Sequence, residues 1–520
     1  MSKRIITIIL SVLMVVSVIL LAVSCGSQSG DTTTEKDKTE TTASDKTTTE
    51  NNETENIQTT EEQTTEQETT EPTGREKLAE YEDVDFGGRT FLIATDPRDD
   101  PDWANHADFW VESITNDAIN DAVYERNKVF QDLYNCKIEI DDGGWANGFN
   151  ASIASGDGKY ILGTYSSTGT AGISKSGNYY NLLKLDVDWT QPWWDQNYIM
   201  DTSTDGRLYT VIGDYALHSM SATWIMFFNK DVYESKFADT NIYQMVKDRK
   251  WTIDAMADFI DKVKYDANGD SVYEFSEEAD ADIVGIMTTA HNDRGLFFAS
   301  GMRYVTKTEN TLEGSYVSAL MNQPAATDVI DKLINVVNAP GYISGGYTNV
   351  QKAVQNGTTL FAGEVMDVLR RMSGSESLRV GVLPQPLFNE DQEAYHCYVN
   401  DQAYITVAPV GYSDMAVLSD FLTLFAYHSS KLVRPAYINT IKYTYTSDEE
   451  SSDMIDIILD SRVYDVGYIC KFSTSMDGYV STMISGKKNQ YVKAAANFSS
   501  KDNATIEEYR NAILAIDDNY

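Results

Sequence analysis

The clearest candidate for chemistry in this sequence is a run of oxygen-bearing side chains with the spacing of a calcium loop. Within residues 266–277, Asp, Asn, Asp and Glu take the first, third, fifth and twelfth places. Ca²⁺ binds about six to eight oxygens, and such alternation wraps them round one ion, although a serine replaces the glycine normal at the sixth place. A structural Ca²⁺ site is predicted, with a metal-free acidic turn as the alternative. Its ligands would be Asp266, Asn268, Asp270 and Glu277.

Motifs of enzymatic catalysis are absent from the sequence. The chain has no HExxH, GxSxG or Walker A motif, and its five histidines and four cysteines show no metal-ligand spacing. Carboxylates are so numerous that close pairs arise by chance, and such pairs do not indicate a glycosidase. The net charge of −38 repels phosphate backbones, which argues against nucleic acid as a partner. We therefore expect a protein that is not an enzyme and requires no cofactor.

The first 75 residues predict where the protein acts. Two basic residues precede an uncharged apolar run over 5–24, which is typical of a secretory signal peptide. The end of this run resembles a bacterial lipobox, in which Cys25 would be acylated and hold the chain to the membrane. Residues 25–75 are rich in Thr and Glu, which predicts a disordered tether. We therefore expect a signal peptide over 1–24 and a lipid-anchored protein on the extracellular face of the cell membrane.

Hydrophobic periodicity predicts an α/β protein in the rest of the chain, which is too long for a single core. An apolar run at 89–95, a helical pattern at 113–135 and a strand-like run at 136–140 form a βαβ unit, which implies parallel strands. Ser113 or Asn116 is the expected N-cap of this helix. Other strands are predicted at 160–162, 208–212, 224–228, 283–287, 379–383 and 403–407, and other helices at 252–263, 326–337, 413–427 and 448–459.

Several short stretches resemble one protein family in their order and spacing. Asn229-Lys230-Asp231, 250–254 and 382–386 resemble segments of the family 1 extracellular solute-binding proteins of ABC importers, the carbohydrate-type group. The stretches at 193–195 and 460–465 resemble a clostridial-type branch of that family. The resemblance implies an α/β, two-lobe fold of the periplasmic-binding-protein type. In this fold the ligand binds in an interlobe cleft and the lobes close about a hinge.

The resemblance also implies how the chain is divided and what it does. The function implied is capture of a small ligand, a sugar or oligosaccharide, by a monomeric protein that delivers it to ABC permease subunits. The first crossing between lobes is expected near residues 213–217. The predicted parts are lobe 1 at 76–215, lobe 2 at 216–378, a return to lobe 1 at 379–430 and C-terminal helices, mainly in lobe 2, at 431–520.

Sugar recognition needs aromatic faces for the C–H side of a ring and planar polar groups for its hydroxyls. The loops that face the cleft by family position supply both. Maltose-type members carry a stacking aromatic residue where this chain has Glu364-Val365-Met366, which argues against a maltose-like ligand. Two alternatives stay open: a surface glycan-binding or sensory protein without a transporter, and a secreted glycan-active enzyme. The expected ligand contacts are Asp96, Trp103, Trp110, Tyr165, Ser166, Tyr215, Trp224, Glu364, Met366, Tyr398 and Asp401.

Overall fold

Two β-sheets, each with its own apolar core, organise the computed structural model, which describes residues 73–95, 108–278, 281–372, 378–446 and 448–518. The strands are β1 (Arg89–Thr95), β2 (Cys136–Asp142), β3 (Leu162–Ser166), β4 (Trp224–Asn229), β5 (Val284–Thr288), β6 (Val305–Lys307), β7 (Tyr316–Ser318), β8 (Tyr342–Ser344), β9 (Thr359–Val365), β10 (Val380–Leu383), β11 (Cys397–Tyr398), β12 (Tyr404–Val407) and β13 (Arg462–Val463). The helices are α1 (Ala118–Tyr134), α2 (Asn150–Ser155), α3 (Ser167–Thr170), α4 (Gln196–Thr202), α5 (Leu217–Ser221), α6 (Lys230–Phe237), α7 (Ile242–Lys247), α8 (Ile253–Val263), α9 (Asn292–Ala299), α10 (Ala326–Val337), α11 (Tyr347–Gln355), α12 (Val368–Met372), α13 (Met415–Thr440), α14 (Glu449–Asp460), α15 (Val466–Ile469), α16 (Thr474–Ser485) and α17 (Tyr491–Leu514).

The first sheet has the strand order β12-β3-β1-β2. β1 pairs in parallel with β2 and with β3, and α1 links β1 to β2, so the predicted βαβ unit is confirmed. The N-cap of α1 is Asp117 rather than Ser113 or Asn116, because its carboxylate accepts the backbone N–H groups of Ile119 and Asn120. β12 closes the other edge by pairing antiparallel with β3. The predicted strand at 208–212 forms only an isolated bridge, between Val211 and Thr406 of β12.

The second sheet has the order β10-β4-β9-β5-β8. β4 is buried at every position and pairs antiparallel with β9 on one side and β10 on the other. β9 and β5 pair in parallel, as do β5 and β8. The amphipathic helices α8 and α10 supply buried side chains to the core around this sheet, which fits their apolar residues falling on one face.

The chain passes between the two cores more than once, and we call the parts around the first and second sheets the first and second lobes. The sequence assigned residues 379–430 to the first lobe, but β10 hydrogen-bonds to β4 and therefore lies in the second sheet. Within residues 379–430, the chain returns to the first sheet only at β12, after Val399. α13 spans both lobes: Leu418 to Tyr427 pack in the core of the first, and Val433 and Tyr437 in the core of the second.

Two sequence features bear on redox chemistry and on membranes. Cys136, Cys397 and Cys470 are free thiols, and burial raises their pKa values, to about 11 for Cys397. Thiols held protonated in this way are poor nucleophiles.

Within the described ranges no helix has both the length and the apolar character needed to cross a bilayer. The apolar run at 5–24 and Cys25 lie outside the described residues.

Candidate functional site

Three chain segments meet where the lobes join, and we call them the hinge ribbon: Thr223, residues 397–399 and β13. Thr223 and Val399 form an antiparallel bridge, and β11 pairs in parallel with β13. The Val399 backbone N–H also donates to the carbonyl of Val463, at 3.2 Å. Thr223 leads directly into β4 of the second sheet, whereas Val399 leads towards β12 of the first. The ribbon therefore joins both lobes through paired extended backbone.

A cavity of about 280 Å³ opens beside the hinge ribbon. The second lobe contributes the start of β4, the end of β9 and parts of α11 and α12, and the turn before β12 contributes the opposite wall. That turn is fixed to the β4 side because the Asn400 backbone N–H donates to the carbonyl of Ala222, at 2.9 Å. The described lining residues are Trp224, Tyr347, Glu364, Val365, Val368, Arg371, Asn400 and Gln402.

Two aromatic side chains of different exposure line this cavity. Trp224 is 1% exposed, and within the described structure its indole N–H has no hydrogen-bond partner. Tyr347 is 47% exposed and begins α11, and its ring lies nearly parallel to that of His291, with 6.5 Å between centroids. An exposed aromatic face such as that of Tyr347 packs against the C–H groups of a sugar ring.

The acidic group of the cavity is Glu364, which is fully buried in β9. Its carboxylate accepts the backbone N–H of Val365 at 2.9 Å and, at a long 3.4 Å, the hydroxyl of Thr289. Burial raises the pKa of Glu364 to about 7, and the two hydrogen bonds and the nearby Arg371 lower it only in part. Arg371 is itself held by Asp367, with nitrogen-to-oxygen distances of 3.0 and 2.9 Å.

Cations near the cavity have carboxylate partners of their own. Arg294 makes two hydrogen bonds to Asp477, at 2.6 and 2.8 Å, and its guanidinium lies 4.2 Å from the ring centroid of Tyr468. Lys471 lies 3.4 Å from the carboxylate of Asp401, the residue between Asn400 and Gln402 in the cavity wall. Charges balanced in this way favour a ligand without a large net charge of its own.

The structure brings some of the predicted ligand residues to the cavity. Trp224 and Glu364 line it, and Asp401 lies in the turn that forms one wall. The hydroxyl of Tyr398 has no hydrogen-bond partner among described residues, but its ring packs in the hinge ribbon against Phe298. Asp96 and Trp103 lie outside the described residues.

Other predicted ligand residues have different surroundings. Tyr215 is buried among aromatic rings of the first core, 5.4 Å from Phe109 and 5.5 Å from Phe425 between centroids, so it is a packing residue rather than a cleft residue. Tyr165 stacks on Trp145 at 5.1 Å between centroids, Ser166 is buried at the end of β3, and Trp110 is exposed. Met366 is buried against a smaller cavity of about 60 Å³ beside α5.

Sequence reasoning missed five lining residues: Tyr347, Val368, Arg371, Asn400 and Gln402. The sequence did carry a signal for Tyr347. This aromatic residue directly follows Gly345-Gly346, a pair that predicts a turn, so it stands at an exposed helix start. Arg371 lies four residues after Asp367, a spacing that allows the helical ion pair seen here.

The predicted calcium loop has a shape that its own hydrogen bonds hold. Asp266 accepts the backbone N–H groups of Gly269 and Ser271, at 2.6 and 2.7 Å, and Ser271 has the left-handed φ of 66° expected at the sixth position. Asn268 donates to Asp270, and Glu277 pairs with Lys352 at 2.7 Å. Across the described ranges, no three His, Cys, Asp or Glu side chains converge as a metal site. Calcium binding stays a prediction.

Comparisons with known proteins establish the fold. The chain matches no protein-family model and no curated protein. Among solved structures it is similar to the cyclic alpha-maltosyl-1,6-maltose binding protein from Arthrobacter globiformis, with a TM-score of 0.55 at 12% identity over 81% of this chain and 100% of that one. It is also similar to the sugar-binding protein MalE from Xanthomonas citri, with a TM-score of 0.54 at 11% identity over 82% and 99% of the two chains. M. tuberculosis UspC gives a TM-score of 0.52 at 11% identity over 80% and 100%. The chain therefore has a two-lobe α/β fold of periplasmic-binding-protein type, as the similarity to these solved structures shows.

Proposed function

We propose that this chain is the solute-binding lipoprotein of an ABC importer, and that it captures a neutral sugar or oligosaccharide in the cavity beside the hinge ribbon. The observation that carries the proposal is the cavity wall: Trp224 and Tyr347 supply aromatic surface, and Glu364, Asn400 and Gln402 supply hydrogen-bonding groups. Binding proteins of the same fold, named for the sugars they hold, support the ligand class.

The location and the partner follow from the sequence. An acylated Cys25 at the head of the Thr- and Glu-rich tether would keep the monomeric folded part on the extracellular face of the membrane. Closure of the lobes on a ligand would then give ABC permease subunits a shape to recognise. Loss of uptake of the bound sugar in cells that lack the chain, and its return with the intact gene, would support delivery to a permease.

Thermal unfolding of the full-length chain in detergent tests the proposed ligand class, against four neutral sugars that are not maltose-like: D-galactose, cellobiose, xylobiose and raffinose. A ligand at a hundred times its Kd adds about 2.7 kcal/mol to the free energy of unfolding, and the unfolding midpoint should rise with ligand concentration. The Tyr347→Ala variant should lose most of that rise. Tyr443→Ala, which removes an exposed ring that does not line the cavity, is the matched control and should keep it. Turnover of any of these sugars would favour the enzyme alternative instead.

A further inference from the structure

Glu364 is a buried carboxyl group with unused hydrogen-bonding capacity at the wall of the cavity. An ionised carboxylate offers about four acceptor sites, whereas the described structure gives Glu364 one good donor, the backbone N–H of Val365, and one distant donor, Thr289. Its backbone is locked because β9 pairs on both sides, with β4 and with β5. The sheet therefore holds the backbone of Glu364 at the cavity wall.

The groups around Glu364 do not neutralise it fully. Arg371 favours the ionised form, but Asp367 holds this guanidinium and itself opposes ionisation of Glu364. The strands on either side, β4 and β5, add no charged side chain, since they read Trp-Ile-Met-Phe-Phe-Asn and Val-Gly-Ile-Met-Thr. Among the described residues, the charges of Arg294 and Asp401 also act on the lining residue Tyr347, and on His291, whose ring lies beside it.

Resting on the proposed function, we infer that Glu364 couples sugar capture to its own ionisation: ligand hydroxyls donate to its carboxylate, and one proton leaves for solvent as the complex forms. In the free protein, burial keeps a large share of Glu364 protonated at neutral pH. Hydrogen bonds from hydroxyls to a charged carboxylate are roughly twice as strong as those between neutral groups. A polyhydroxylated ligand therefore stabilises the ionised form, and the cavity selects ligands that carry hydroxyl donors at this wall.

The direction of the pH dependence follows from this linkage. The ionised form binds the ligand, so affinity is highest above the pKa of free Glu364, about 7, and falls as the pH drops below it. For a bound-state pKa well below 6, the Kd should rise about tenfold from pH 8 to pH 6, and about 0.9 proton should be released per ligand at pH 6 but only about 0.1 at pH 8.

Isothermal titration calorimetry of the full-length chain in detergent, in two buffers of different ionisation enthalpy, measures both quantities with the same four sugars. Glu364→Gln should bind with an affinity that no longer changes between pH 6 and pH 8 and should release no proton. The comparison of Glu364→Gln with the wild type is needed because burial also raises the pKa of Asp293 on α9 to about 7, so this residue can release a proton in the same pH range. Glu393→Gln removes an exposed carboxylate away from the cavity and should behave as the wild type.

The outcomes separate the inference from the proposed function. Sugar binding with equal affinity at pH 6 and pH 8 overturns the proton coupling and leaves the proposed function standing. Failure of all four sugars to bind at pH 8 overturns both. If Glu364→Gln does not fold, the proton count of the wild type still decides, since a ligand that releases no proton at pH 6 contradicts the coupling.

Discussion

Asp195→Asn should destabilise the fold more than any exposed charge change, because Asp195 belongs to a buried ion pair behind the hinge ribbon. Its carboxylate lies 2.9 Å from Arg462 of β13, with only 4% and 12% of the two side chains exposed. It also accepts the hydroxyl of Tyr464 at 2.5 Å and the backbone N–H of Tyr198 at the start of α4. Asparagine keeps the shape and the helix cap but removes the charge that compensates Arg462.

The expected loss is about 3–5 kcal/mol, the usual result of leaving one partner of a buried pair uncompensated. Asp214 also attracts Arg462, so some compensation of this charge remains after the substitution, and we expect a loss at the lower end of that range. Asp453→Asn is the control: this residue pairs with Lys247 at 2.6 Å, but both side chains are largely exposed, so the loss should be about 0–1 kcal/mol.

Urea unfolding followed by circular dichroism measures these losses, provided that the m value is the same for each variant. The double variant Asp195→Asn/Arg462→Met should be more stable than Asp195→Asn alone, because it removes the stranded charge as well. Equal losses for Asp195→Asn and Asp453→Asn, or a double variant no more stable than the single one, would refute the reasoning.

Four further expectations follow. Tyr347→Ala should weaken sugar binding about tenfold in calorimetry. Because the side chain is exposed, the free energy of unfolding should stay within about 0.5 kcal/mol of the wild type; a large loss of stability would show that the ring is structural. Cys25→Ala should abolish the incorporation of labelled palmitate into the chain in growing cells, and unchanged labelling would contradict lipidation. If Ca²⁺ fills the loop at Asp266, EDTA should lower the unfolding midpoint relative to a calcium-saturated sample, and an unchanged midpoint would exclude the site. Burial raises the pKa of Asp214 to about 7, so the native state holds its proton longer than the unfolded chain. The contribution of this group to the free energy of unfolding should fall by about 1.4 kcal/mol per pH unit as pH rises from about 4 to 7, and the slope measured for Asp214→Asn should differ from that of the wild type by about this amount.

Elements that the local sequence determines were predicted closely. The helix expected at 326–337 is α10, Ala326–Val337, because its apolar residues all fall on one face. β4 begins at the predicted residue and runs one residue further, to Asn229. The strand expected at 160–162 begins later, at Leu162, since its pairing with β1 and β12 decides its limits.

The cavity could be predicted only in part, because residues far apart in the chain form it. Trp224 and Glu364 were identified through the family resemblance, which places the ends of β4 and β9 at the cleft. Tyr215 was expected at the cleft by the same family position, yet tertiary packing puts its ring beside those of Phe109 and Phe425. Nothing in the local sequence distinguishes Trp224, which lines the cavity, from Tyr215, which packs in the first core, since each is an aromatic residue next to polar neighbours.

The position of the cavity relative to the hinge ribbon gives a physical basis for ligand-driven closure. Trp224 follows Thr223 in the chain, and Asn400 follows Val399, so two lining residues are each one peptide bond from the bridge that joins the lobes. β4 is paired on both sides, with β9 and β10, so a contact that fixes Trp224 also constrains the direction in which this strand leaves the ribbon. A ligand that contacts both walls binds most tightly in one relative orientation of the lobes. The difference in its affinity for that orientation and for the others is what shifts the equilibrium between open and closed lobes. Gln402→Ala should therefore reduce ligand-induced compaction, measured by small-angle X-ray scattering, more than a change of equal size far from the ribbon.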